Sequence, residues 1–280
     1  MQSVVTLIAA PGAEEALRAA TSGRTVDWLA PTACDIHDAD EAAARAAIAG
    51  RPIDIVVQPA AGRRKRVLVA DFESTVIENE MLEELADFLG LRAPVAEITR
   101  RAMNGEIDFV GALTERVALL RGMSAATLVE AAARIRLMPG AAALVATLRR
   151  AGVRTALVSG GFTVFAEPVA RRLGFDRVVA NRLDIVGGRL AGTLTPPIVV
   201  GATKRDTLAS LAAELGIGLD QTLAVGDGAN DLPMLQAAGL GIAFRAKPSV
   251  AAAARWRIDH GDLTALLFAQ GYRAEEISGL

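Results

Sequence analysis

Short apolar runs separated by polar and glycine-bearing turns fill the first 58 residues. They fall in the order strand, helix, strand, strand, helix, strand: Val4 to Ile8, Ala13 to Thr21, Thr25 to Leu29, Ala33 to His37, Glu41 to Ala49 and Ile53 to Val57. That order is the split βαβ, ferredoxin-like pattern, one sheet with two helices on a single face. So small an α+β unit buries little core alone and is expected to dock or to form a homodimer. The pattern then breaks from Pro59 to Arg66, where Arg63, Arg64, Lys65 and Arg66 follow an Ala-Ala-Gly stretch. The run reads as a solvated linker between two domains, at 1–60 and 61–280.

From Val67 onward, apolar strands alternate with helices, the sign of an α/β fold with a Rossmann-like parallel sheet covered on both faces. The predicted strands are Val67 to Asp71, Arg154 to Ser159, Arg177 to Ala180, Thr222 to Gly226, Gly241 to Phe244 and Arg255 to Ile258. Helical runs near Glu80 to Leu89, Ala93 to Met103, Val110 to Leu120, Ala125 to Arg134 and Gly140 to Ala151 separate the first two. One crossover helix needs far fewer residues, so a helical insert at about 77–138 is expected to stand over the sheet's carboxyl edge as a lid. Asp184 to Gly192, with Gly187-Gly188 at its centre, predicts a β-hairpin.

Composition narrows the function. Among 280 residues, 30 Lys and Arg face 32 Asp and Glu, a formal charge of −2. That balance disfavours a nucleic-acid partner, which would demand a strongly basic surface. No apolar run approaches the ~18 residues of a membrane span. Met1 to Ala10 lacks a basic n-region and reads as a strand, so a cytoplasmic protein is expected. The lone Cys34 forms no internal disulfide and no zinc cluster. His37 and His260 have no Ser or Cys in a nucleophile setting, and Trp28, Trp256 and Tyr272 are too scattered for base stacking.

Chemically unusual residues gather where predicted strands end. Asp71-Phe72-Glu73-Ser74-Thr75 follows the first strand, Ser159-Gly160-Gly161 the second, and Gly226-Asp227-Gly228-Ala229-Asn230-Asp231 the fourth, while Lys204 opens a helix. Singly, each has an ordinary reading: a helix cap, a turn, a surface charge, a loop. In an open parallel sheet, however, the carboxyl ends of strands border one crevice, so the four converge. Asp71 and Asp227 offer hard oxygen ligands suited to Mg²⁺. Ser159 and the amides after it suit phosphate oxygens, Lys204 is a point charge for them, and Asp231 is placed to orient that ammonium or a metal-bound water. The set has no Walker A loop and no Ser/His pair. It suits phosphoryl transfer to a carboxylate.

These residues resemble the haloacid-dehalogenase-like superfamily and, within it, the phosphoserine phosphatase family. The similarity runs from about Val67 to Tyr272 through Asp-Phe-Glu-Ser-Thr, Val-Ser-Gly-Gly-Phe, a lone Lys after the hairpin and Val-Gly-Asp-Gly-Ala-Asn-Asp. The resemblance implies that Asp71 is the nucleophile and a Mg²⁺ ligand, joined by the backbone carbonyl of Glu73 and by Asp227. It implies that Ser159, Gly160, Lys204 and Asn230 hold the phosphate. In the helical cap, it implies that Glu80 and Arg116 grip the ammonium and carboxylate of phosphoserine while Met103 and Phe109 close the pocket. The residue two after the nucleophile would protonate the leaving oxygen and then activate water.

At that position the family pattern has Asp, and this chain has Glu73. Glutamate keeps the carboxylate, with an intrinsic pKa only ~0.4 units higher, but reaches about an ångström further. A pocket adjusted to Glu, a slowed phosphatase, and a non-catalytic phosphoamino-acid sensor all remain open. So does a related phosphatase or phosphotransferase with another acceptor. The front unit resembles, in element order alone, small ACT-type modules that bind amino acids and pair through their sheets.

Overall fold

The computed structural model describes residues 3–103 and 106–279. The amino-terminal unit comprises β1 (Ser3–Ala9), α1 (Glu14–Ala20), β2 (Asp27–Ala30), β3 (Ala33–His37), α2 (Glu41–Ile48) and β4 (Ile53–Pro59). Its sheet has the order β2-β3-β1-β4, with antiparallel neighbours throughout. Strand alternation sends Val5 and Leu7 to one face, where they pack with Leu17, Ala44 and Ile48 from the two helices. Ile8, Ala33 and Val56 join the main hydrophobic core. The helix-free face is therefore covered by the chain itself.

Cys34 is fully buried on β3 between β1 and β2. Burial, then the charges of Asp35 and Asp27, push its thiol up to about 12. Because the thiolate is the reactive form, native protein at pH 8 is expected to resist a disulfide reagent and to react only on unfolding. Fast labelling of the native protein would contradict this packing.

The basic run is not the solvated linker that the sequence predicts. Arg63 forms an ion pair with Asp35, and Thr6 Oγ1 donates to the same carboxylate at 2.7 Å. Lys65 is buried, its Nζ donating to the carbonyls of Gly62 and Asp220 at 3.0 and 2.9 Å. Arg64 grips both carboxylate oxygens of Glu276 and lies over the Tyr272 ring. Apart from the Gly62 carbonyl, the acceptors come from residues far away in sequence, which a local charge pattern does not reveal.

The larger unit opens with β5 (Val67–Ala70), whose four residues are all buried. Then come α3 (Met81–Phe88), α4 (Arg92–Met103), α5 (Phe109–Ala118), α6 (Ala125–Ala132) and α7 (Ala141–Arg150). The chain returns through β6 (Arg154–Phe162), α8 (Thr163–Leu173), β7 (Arg177–Val186), β8 (Arg189–Thr195) and α9 (Gly201–Glu214). It closes with β9 (Thr222–Gly226), α10 (Leu232–Ala237), β10 (Leu240–Phe244), α11 (Pro248–Ala253), β11 (Trp256–Ile258) and α12 (Ala265–Ala269). The sheet order is β11-β10-β9-β5-β6-β7-β8, parallel except for the β7–β8 hairpin. Gly187 and Gly188, at φ 58° and 74°, supply the two positive φ angles that its tight turn requires. β5 lies between β6 and β9, where the strand order reverses, the place at which such sheets open a ligand crevice.

The helical insert is tied down at its root. Met138 N–H donates to the Val76 carbonyl and Glu78 N–H to that of Arg136, each at 2.9 Å. Asp108 starts α5 by accepting from Gly111 N–H at 2.7 Å, and Ser124 starts α6 in the same manner. No helix is long and apolar enough to cross a membrane among the described residues.

Candidate active site

Asp71 follows the last residue of β5, and its N–H still donates to Val225 of β9 at 2.9 Å, so the sheet fixes its backbone. Asp227 follows β9 in the same way, and Ser159 lies within β6, the strand on the other side of β5. Lys204 reaches in from α9. Its Nζ lies 2.6 Å from Asp71 Oδ1 and 2.6 Å from Asp231 Oδ1, and all three residues are buried. Burial works against the ammonium, yet the two carboxylates outweigh it and hold the Lys204 pKa above the usual lysine value. Asp231 is seated by Gly228 N–H at 2.9 Å and folds back over Gly226, where a Cβ would come within 2.3 Å of its Cγ. Only glycine leaves room there.

Asp71, Asp227 and Asp231 offer carboxylate oxygens that all lie within 4.8 Å of one another. Burial, then the charge of Asp71, push Asp227 up to about 6, with Lys247 Nζ, 3.8 Å away, opposing the shift. Crowded hard oxygens without nitrogen or sulfur donors fit a small divalent cation such as Mg²⁺, which would relieve that repulsion.

Ser159 Oγ accepts from Gly161 N–H at 2.8 Å, and Asn181 Nδ2 on β7 donates to the Gly160 carbonyl at 2.7 Å. Asn181 is buried, and its Oδ1 accepts from Val199 N–H, so it clamps this turn from the neighbouring strand. Sequence reasoning passes over it, although an Asn inside the apolar run Val178-Val179-Ala180-Asn181 was a usable signal.

The insert supplies further lining of the same cavity. Glu80 accepts from Ser74 Oγ at 2.7 Å, and burial raises its pKa above the usual carboxylate value. Arg116, half-buried on α5, donates through Nε to the Ala112 carbonyl at 3.2 Å. Burial lowers the pKa of its guanidinium, with the charges of Glu80 and Glu73 opposing. Glu73 Oε1 accepts from Met81 N–H at 2.9 Å, at the first turn of α3. Burial, then the charge of Glu80, push Glu73 up to about 8, against that hydrogen bond.

One cavity of about 190 Å³ gathers Asp71, Glu73, Glu80, Phe109, Arg116, Ser159, Gly160, Asp227 and Asn230. Lys204 and Asp231 stand behind Asp71, and the Met103 side chain lies outside the described residues. Lys247 also lines the cavity, and sequence reasoning does not single it out, although it follows β10 at another carboxyl end of the sheet. Larger grooves of about 560 and 710 Å³ lie between α3 and α4 and between the amino-terminal unit and β11. Neither contains the buried acids of the strand ends.

The haloacid dehalogenase-like hydrolase family model matches residues 68–236. A phosphoserine phosphatase of Mycobacterium tuberculosis is 44% identical over 227 residues, 80% of this chain; the chain spans only 56% of that relative's length. A crystal structure of a probable phosphoserine phosphatase from Vibrio cholerae, in unliganded form, superposes with a TM-score of 0.81 at 31% identity, covering 98% of this chain and 88% of that one. A phosphoserine phosphatase structure described as a phospho-aspartyl intermediate analogue gives a TM-score of 0.68 at 37% identity, covering 73% of this chain and 98% of that one.

Proposed function

The chain belongs to the haloacid dehalogenase-like hydrolase family, and on that footing we propose that it hydrolyses O-phospho-L-serine to L-serine and phosphate with Mg²⁺, through an aspartyl-phosphate on Asp71. The observation that carries this reading is one cavity lined together by Asp71, which is backed by Lys204, by Asp227, and by Glu80 and Arg116. A zwitterionic amino acid calls for one acid and one base. Glu80 takes the ammonium, Arg116 the carboxylate, and Phe109 closes over the substrate. Ser159, Gly160, Lys204 and Asn230 hold the phosphoryl oxygens.

Asp71, the Glu73 backbone carbonyl and Asp227 hold Mg²⁺, with Asp231 supporting. The ion supplies positive charge that stabilises the phosphoryl group as it transfers. An Asp71 oxygen attacks phosphorus, the bond from phosphorus to the serine oxygen breaks, and Glu73 delivers its proton to that oxygen. Water then attacks the acyl-phosphate, giving a proton to Glu73, and phosphate leaves Asp71. Burial and the charge of Glu80 hold the Glu73 carboxyl above the usual carboxylate range, which favours the protonated form that the first step requires. In this reading residues 61–280 form the phosphatase domain, with the cap at about 77–138, and residues 1–60 form an ACT-like module docked against it.

The test is phosphate release from phosphoserine with and without Mg²⁺. Release is expected to need the cation and to stop with a chelator. Arg116→Ala is expected to raise KM for phosphoserine about 10–100-fold, the loss of a charge-assisted contact. Phosphate release that ignores the amino-acid part of the substrate would overturn the assignment.

A further inference from the structure

We propose that Gly161 is the positioning residue for Glu73: the absence of a side chain at 161 leaves the space into which the longer carboxylate folds. A Cβ built at Gly161 would lie 2.7 Å from Glu73 Oε2, 2.9 Å from Cδ and 3.0 Å from Oε1. Real Cβ atoms do not approach that closely. The carboxylate has no easy retreat, because Oε1 also accepts from Met81 N–H at 2.9 Å on α3. Nor has residue 161, whose own N–H is held by Ser159 Oγ at 2.8 Å. The neighbouring Gly160 faces a different group, Phe109 Cζ, at 3.2 Å from its would-be Cβ, so the contact with Glu73 belongs to 161.

Gly161 does not sit at positive φ, unlike fifteen other glycines in the described residues, so alanine is allowed by the backbone and its penalty is the contact itself. A one-methylene-shorter acid at 73 would draw back from that point. The inference rests on the reading of Glu73 as the proton donor, and it adds that residues 73 and 161 act as one unit.

The experiment is a double-mutant cycle of Gly161→Ala and Glu73→Asp, read by kcat and KM for phosphoserine and by Tm of the metal-free proteins. With Glu73 present, Gly161→Ala is expected to lower kcat about 100-fold, as displacement of a reacting group by an ångström does, with KM little changed, and to lower Tm. In the Glu73→Asp background the same change is expected to cost less than about threefold in kcat, with most of the Tm loss restored. Equal losses in both backgrounds, or no loss in either, would overturn the proposal. Coupling in Tm with no phosphate released by any of the four proteins would leave the contact standing and refute the phosphatase reading instead.

Discussion

Asp71→Asn is expected to lower phosphate release from phosphoserine by about 10⁴-fold or more, because it replaces the attacking carboxylate with a neutral amide and does not merely remove a contact. The loss should appear in kcat, with phosphoserine still binding, since Glu80 and Arg116 line the same cavity and are untouched by the change. The fold should survive. Asn is nearly isosteric with Asp, the backbone of residue 71 is held by its hydrogen bond to Val225, and Lys204 retains Asp231 at 2.6 Å. Steady-state kinetics together with equilibrium binding of phosphoserine check this. A variant that keeps more than a hundredth of the parent rate would mean that the nucleophile lies elsewhere.

Lys204→Met is expected to damage both stability and turnover. The ammonium is fully buried between two carboxylates, and methionine fills much of its volume without its charge. Removing one member of a buried ionic cluster destabilises by about 3–5 kcal/mol, because the remaining charges are left unpaired. In a chain of this size that corresponds to a fall in Tm on the order of 10 °C. Turnover should fall by about 10²–10³-fold even at temperatures where the variant is folded, since charge on the transferring phosphoryl group loses its fixed partner. Calorimetry of the metal-free protein and kinetics below the transition separate the two effects. An unchanged Tm would show that Asp71 and Asp231 do not depend on the ammonium.

Much of this architecture was legible in the sequence because its signals are local. The apolar runs Val67-Leu68-Val69-Ala70 and Thr222-Leu223-Ala224-Val225-Gly226 are short and buried on both faces, and each is followed by an acid that the sheet brings to one edge. Paired positive-φ glycines mark the hairpin equally well, although β7 enters it without a break, as one strand from Arg177 to Val186. Helix α8, from Thr163 to Leu173, begins directly after the strand residue Phe162, and no turn signal separates the two. What escaped sequence reasoning depends on distant partners. Arg63 meets Asp35 across the two units, and Lys65 meets Asp220 from 155 positions away within the larger one. Asn181 acts on a turn from the adjacent strand. The approach of Glu73 to Gly161 joins residues 88 positions apart, and no spacing rule links them.

Chemical trapping of the phosphoryl group tests the central claim most directly. After brief mixing with phosphoserine and Mg²⁺, acid quenching and digestion, peptide mass spectrometry should find phosphate on Asp71, in amounts that rise and decay with turnover, and none in Asp71→Asn. Steady release of phosphate with no label on residue 71, or with the label on another side chain, would contradict the account.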